Sequence, residues 1–193
     1  MDTMTKETYR QDLTFLQAAL PELQSYMLSK EVFWPLMSSS AFKDMSMLTL
    51  GMLELVVRRL QSLSLNVAAD MEVEKAVAEY LAFKEKWQSN VAAKLATEYG
   101  VRQRLWQAYL SDTVNSEDRI ATEYAYKVRW RAILTLIEAA AAVNPAELDL
   151  TRQLDKALNS MTLPAEFVWD KAFETGFPEK TFWYLYRKMR GAN

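Results

Sequence analysis

The sequence predicts an all-α protein, a bundle of about six to eight helices in which one long, kinked helix (70–111) hairpins against 117–143. Three observations carry this. Apolar residues recur at three- and four-residue spacings along most of the chain. No stretch alternates with a period of two. Glycine and proline are scarce, four and five in 193 residues, and the prolines stand where the helical patterns stop or start.

Tyr9, Leu13, Leu16 and Leu20 lie on one face of an opening helix that Pro21 ends or kinks. "PELQSYMLSK" begins a second helical piece, and "FWPLMSSS" breaks it, so 34–44 reads as a loop. From Ser46 to Leu63 the chain is apolar on most sides, the mark of a helix near the middle of the assembly. Glu54 is its odd member, with Arg58 one turn on as the expected partner. In 70–111, Val73, Val77, Tyr80, Trp87, Val91, Leu95, Leu105 and Tyr109 share a stripe if the helix stays straight. About forty residues would run about 60 Å, so a bend is expected at Ser89–Asn90 or at Gly100, where helix propensity is weakest. "SDTVNSED" at 111–118 is a turn with Ser116 as the next cap. "NPAE" at 144–147 supplies a cap, a first-turn proline and an acidic third residue, after which Leu150, Leu154, Leu158 and Met161 mark a buried side. A short helix closed by Gly176 and a final helix, "EKTFWYLYRKMR", are expected after Pro164 and Pro178. The whole, 1–193, reads as a single all-α domain with 164–193 packed back on the bundle.

Composition narrows the chemistry. The chain has neither cysteine nor histidine, which removes disulfides, thiolate and imidazole zinc sites, cysteine nucleophiles and Ser-His triads. Four scattered glycines build neither a Walker loop nor a dinucleotide fingerprint. A formal net charge of −2 lacks the basic footprint of a nucleic-acid binder. The mixed-charge start does not read as a signal peptide, and the most apolar run, 132–143, is interrupted by Glu138 and too short for a transmembrane segment. A cytoplasmic location is the default expectation.

The string "TEYGVRQRLW" at 97–106 is echoed by "TEYAYKVRW" at 122–130. Glu98 precedes Arg102, and Glu123 precedes Lys127, by four residues, each pair contributing about 0.2–0.5 kcal/mol. Buried rings contribute several times that. A tight hairpin pivoting near Asn115 would set Arg102 opposite Tyr126 and Trp130, with Tyr99, Trp106 and Tyr109 beside it on its own helix. Two readings follow. In the first, rings fill the seam between helices and the cations lie along it. In the second, Arg102, Tyr99, Trp106, Tyr126, Trp130 and Arg131 line an interhelical pocket for a small anion.

Glu72, Glu74, Glu79 and Glu85 are interleaved with lysines as a solvated ladder and give no metal motif. The methionines of "MSSSAFKDMSMLTLGML" read as gap-filling core. The aromatic and basic C-terminal tail is a candidate for a membrane surface or partner, and docking on the bundle is the simpler alternative. The functional expectation is a non-catalytic protein–protein interaction or scaffold module, self-association included, without cofactor, catalytic residues or bound metal. A ligand-binding or enzymatic bundle around Arg102 is the alternative.

Overall fold

The computed structural model describes residues 3–36, 47–64, 67–113 and 123–190, with side chains of 3–7, 67 and 113 left aside. Among the described residues helices dominate: α1 Thr3–Ala19, α2 Leu23–Leu28, α3 Leu50–Ser62, α4 Val67–Lys86, α5 Gln88–Thr113, α6 Arg129–Ala140 and α7 Pro145–Met161, with 123–127 also helical. The chain divides into two compact units, Met1–Glu98 and Tyr99–Asn193, with α5 running through the boundary.

In the first unit α1 packs on α3 and on α4. Leu13 and Leu16 are buried on the expected face of α1, and Pro21 shapes a 3-10 turn, Leu20–Glu22, between α1 and α2. The helix predicted for 46–63 is the most buried element. Thr49 caps α3 by accepting from the Met52 amide, and Leu50 to Val57 are enclosed but for Glu54. The Glu54 carboxylate is engaged from α4, accepting from the Tyr80 hydroxyl at 2.7 Å and pairing with Lys84. On the other side of α3, Arg59 grips fully buried Asp12 of α1 with two guanidinium nitrogens. Burial raises the pKa of Asp12, and the guanidinium opposes that rise.

The long helix is interrupted at Trp87, two positions before Ser89, and passes through Gly100 unbroken. The Trp87 amide still reaches Phe83 O and its carbonyl still accepts from Val91. Val73, Val77 and Tyr80 are buried before the break, and Val91, Leu95, Tyr99, Trp106 and Tyr109 after it, whereas Leu105, expected on the same stripe, faces outward. Gly100 allows close packing: a Cβ there would come within 2.7 Å of Glu147 Oε1 of α7.

Two short antiparallel ladders add strand structure that no period of two signalled, because two or three residues are too few to show one. Trp34–Pro35 (β1) pairs with Met47–Leu48 (β2), and Thr162–Pro164 (β3) with Arg187–Met189 (β4). Residues 37–44 of the expected loop and 114–118 of the expected turn, with its Ser116 cap, lie outside the described residues, whereas 111–113 continue α5.

In the second unit Asn144 caps α7 as predicted, accepting from the Ala146 amide at 2.9 Å, with Pro145 in the first turn. The tail departs from expectation. Lys171–Gly176 is a 3-10 helix capped by Asp170, and the final helix is replaced by a 3-10 turn, Trp183–Tyr186, running into β4. Aromatic residues lose side-chain freedom in an α-helix. Here Phe182, Tyr184 and Leu185 are all buried, which one helical stripe would not allow so readily, while β4 pairs with β3. Phe167, Trp169, Phe177 and Phe182 form an edge-to-face cluster beneath this segment.

Candidate functional site

Arg131, one of the six predicted site residues, is the buried cation of a hydrogen-bond network in the second unit. It lies on the buried face of α6 between Val128 and Leu134. Its Nε and Nη2 donate to the two carboxylate oxygens of Asp155 on α7 at 2.7 and 2.8 Å, a bidentate fork. Nη1 donates to Thr135 Oγ1 at 2.7 Å and approaches Glu138 Oε1 at 3.5 Å. The guanidinium also stands over the Tyr184 ring, 5.0 Å from its centroid. Burial works against the charge, but the Asp155 carboxylate more than compensates, so Arg131 keeps its proton more firmly than a free arginine.

From this centre hydrogen bonds spread in both directions. Glu138 accepts from Tyr99 OH of α5 at 2.7 Å, and the same hydroxyl lies 2.7 Å from Thr151 Oγ1 of α7. Gln103 Nε2, one turn further along α5, donates to Thr151 Oγ1 and to the Glu147 carbonyl, both at 2.6 Å. On the other side Thr135 Oγ1 lies 2.8 Å from Tyr184 OH, and the Tyr184 carbonyl accepts from Tyr124 OH at 2.6 Å. Burial holds the Tyr99, Tyr124 and Tyr184 hydroxyls well above the usual phenol range. All three are neutral at physiological pH. The network thus joins α5, α6, α7 and the C-terminal segment through one cation, two carboxylates and neutral polar groups.

Four of the six predicted site residues fall into two pairs. Tyr99 and Arg131 are joined through Glu138. Tyr126 and Trp130 share Lys127, whose Nζ lies 5.7 and 4.9 Å from their ring centroids, and Arg129 stacks on Tyr126 at 3.7 Å. Tyr126 is 41% exposed and Trp130 half-buried. Trp106 is fully enclosed, 5.4 Å from the Tyr109 ring, and its indole Nε1 has no hydrogen-bond acceptor among the described residues. Arg102 is only 4% exposed. Tyr99 meets Glu138, roughly nine residues beyond the position a tight turn at Asn115 would set against it. The Glu123–Lys127 pair forms as expected, at 3.8 Å.

Glu138, Thr151, Asp155, Thr135 and Tyr184 were missed as site residues. Glu138 carried a signal, being the one carboxylate that breaks the apolar run 132–143. Thr151 and Asp155 stand four apart beside Leu154 and Leu158, which sequence reads as the edge of a buried face. Among the described residues no group of three or more acidic side chains is placed to hold a metal ion, and no helix is long and apolar enough to cross a membrane. Compared with known proteins, the chain matches no family model, no curated sequence and no solved structure.

Proposed function

We propose that this chain works through contact with other proteins, a second copy of itself included, rather than by turning over a substrate. One observation supports this above the rest. The cation best placed to hold an anion, Arg131, spends its donors on Asp155 and Thr135 and lies against Glu138, so a ligand would have to displace carboxylates already in place. Apolar side chains that reach solvent supply surface for a partner: Leu28 at 68% and Met71 at 66% exposure in the first unit, Leu105, Tyr126 and Leu163 in the second. A cytoplasmic setting and a protein rather than nucleic-acid partner belong to the same proposal, as does a single cooperative domain.

Sedimentation equilibrium over a wide concentration range tests the self-association arm, with Leu105→Lys and Tyr126→Lys expected to shift any dimer toward monomer. A chain that stays monomeric throughout removes that arm.

A second reading, a small-ligand pocket near Arg102, is favoured by the enclosed Trp106 indole that lacks an acceptor among the described residues. Acetate, benzoate and inorganic phosphate would then raise the melting temperature saturably. The interaction reading expects no change beyond that of matched ionic strength.

A further inference from the structure

In the first unit the Lys94 ammonium is surrounded by oxygens, most of them main-chain carbonyls. Lys94 Nζ of α5 donates to the carbonyl oxygens of Tyr26 at 2.8 Å and Glu31 at 2.7 Å, and more loosely to Ser29 O at 3.2 Å and Ser29 Oγ at 3.4 Å. It also stands 4.0 Å from the centroid of the Tyr26 ring. These oxygens lie at and just beyond the C-terminal end of α2, where unsatisfied carbonyls favour a positive charge. The turn has a scaffold of its own that does not involve Lys94. Ser29 N donates to the carbonyls of Ser25 and Tyr26, Ser29 Oγ donates to Tyr26 O at 2.8 Å, the Glu31 amide donates to Ser29 Oγ, and Tyr26 OH donates to Val32 O at 2.9 Å.

The donor demand is specific. A primary ammonium carries three N–H groups and no acceptor, which matches a set made only of oxygens. A quaternary ammonium would satisfy the ring face but leave the oxygens bare, and a planar guanidinium would present its donors in a flat fork. Beside the ammonium lies an open recess of about 280 Å³ whose lining includes Met27, Val32, Ala93 and Thr97, wide enough to admit an alkyl chain.

We propose that the 26–31 turn is a receptor for a primary alkylammonium group, filled in cis by Lys94, and that its occupancy holds the 29–32 segment on α5. Burial pulls the Lys94 pKa down, and the Glu31 and Glu98 carboxylates oppose that effect.

The test deletes the tethered ammonium and returns it as a free one. In the full chain Lys94→Ala removes the atoms that n-propylammonium supplies. Amide hydrogen exchange across 26–32 should quicken on the order of tenfold or more in the variant, as expected for the loss of charged hydrogen bonds. Added n-propylammonium should slow it again in a saturable way, whereas tetramethylammonium at equal concentration should not. Wild type should ignore both, because a tethered group outcompetes a free one. Lys94→Met, which fills the stem's path without charge, should show quickened exchange that no amine restores. Unchanged exchange in Lys94→Ala, or equal restoration by tetramethylammonium, overturns the proposal. If Lys94→Ala does not fold, refolding with each salt decides in the same way: recovery with n-propylammonium alone supports the receptor, and recovery with neither overturns it.

Discussion

Removing Asp155 should show how much of the second unit depends on its buried cation. In Asp155→Ala, Arg131 loses both arms of its fork, at 2.7 and 2.8 Å, and keeps only Thr135, the longer approach of Glu138 and the Tyr184 ring. Stranding a fully buried charge costs about 3–5 kcal/mol. The Asp155 side chain is one-fifth exposed, so water can reach part of the gap, and Glu138 screens what remains. We therefore expect a loss of about 2–4 kcal/mol, or a fall in Tm of about 5–15 °C for a chain of this length. Urea denaturation and calorimetry both read it. The paired variant Arg131→Met/Asp155→Leu removes the charge together with its partner and should recover most of the loss, since an apolar replacement of a buried pair is often close to neutral. A cost under about 1 kcal/mol for Asp155→Ala, or simple additivity in the paired variant, would refute the view that these groups hold each other.

Further outcomes follow from the same structure. Burial holds the Tyr99, Tyr109, Tyr124 and Tyr184 hydroxyls above the ordinary phenol value, so the unfolded chain gives up these protons first. Stability should be flat up to the unfolded phenol pKa, about 10, and fall as pH rises beyond it; an absorbance titration should show these phenolates appearing together with loss of helix by circular dichroism. Reversible ionisation of all nine tyrosines near that pH in a folded chain would contradict it. Gly100→Ala sets a helix gain of about 0.8–1 kcal/mol against the crowding of Glu147 Oε1, the free end of a flexible side chain, and should leave Tm unchanged or slightly raised; a clear fall would mean that Glu147 cannot give way. Asn144→Ala deletes the α7 cap and should cost about 1 kcal/mol in urea denaturation, with Asn144→Gly costing less. Calorimetry of the full chain should show one transition that coincides by tryptophan fluorescence and circular dichroism, as a single cooperative domain requires.

Local signals in the sequence translated well. The α7 cap at Asn144, the enclosed α3 and the Leu13–Leu16 face of α1 rest on spacing and propensity, which act between near neighbours. What depended on residues far apart in the chain was legible only in part. Arg131 could be chosen as a cation among rings, but Asp155 could not be matched to it, because no fixed spacing links a guanidinium on α6 to a carboxylate on α7. The stripe through Leu105 was too wide: on α5 the buried face runs through Leu95, Tyr99, Trp106 and Tyr109, and Leu105 lies at its exposed edge. The tail reads as helical by composition, yet pairing of β4 with β3 and burial of Phe182, Tyr184 and Leu185 outweigh that local preference.

Nitrogen-15 NMR of the Arg131 Nε–H group in the intact chain probes the central arrangement most directly. If Asp155 and Glu138 occupy the guanidinium from within, that proton exchanges slowly with solvent and its resonance does not move as excess inorganic phosphate is added at constant ionic strength. Rapid exchange, with a saturable shift on phosphate addition, would mean that Arg131 is open to a visiting anion and that the network is a binding site rather than internal bracing.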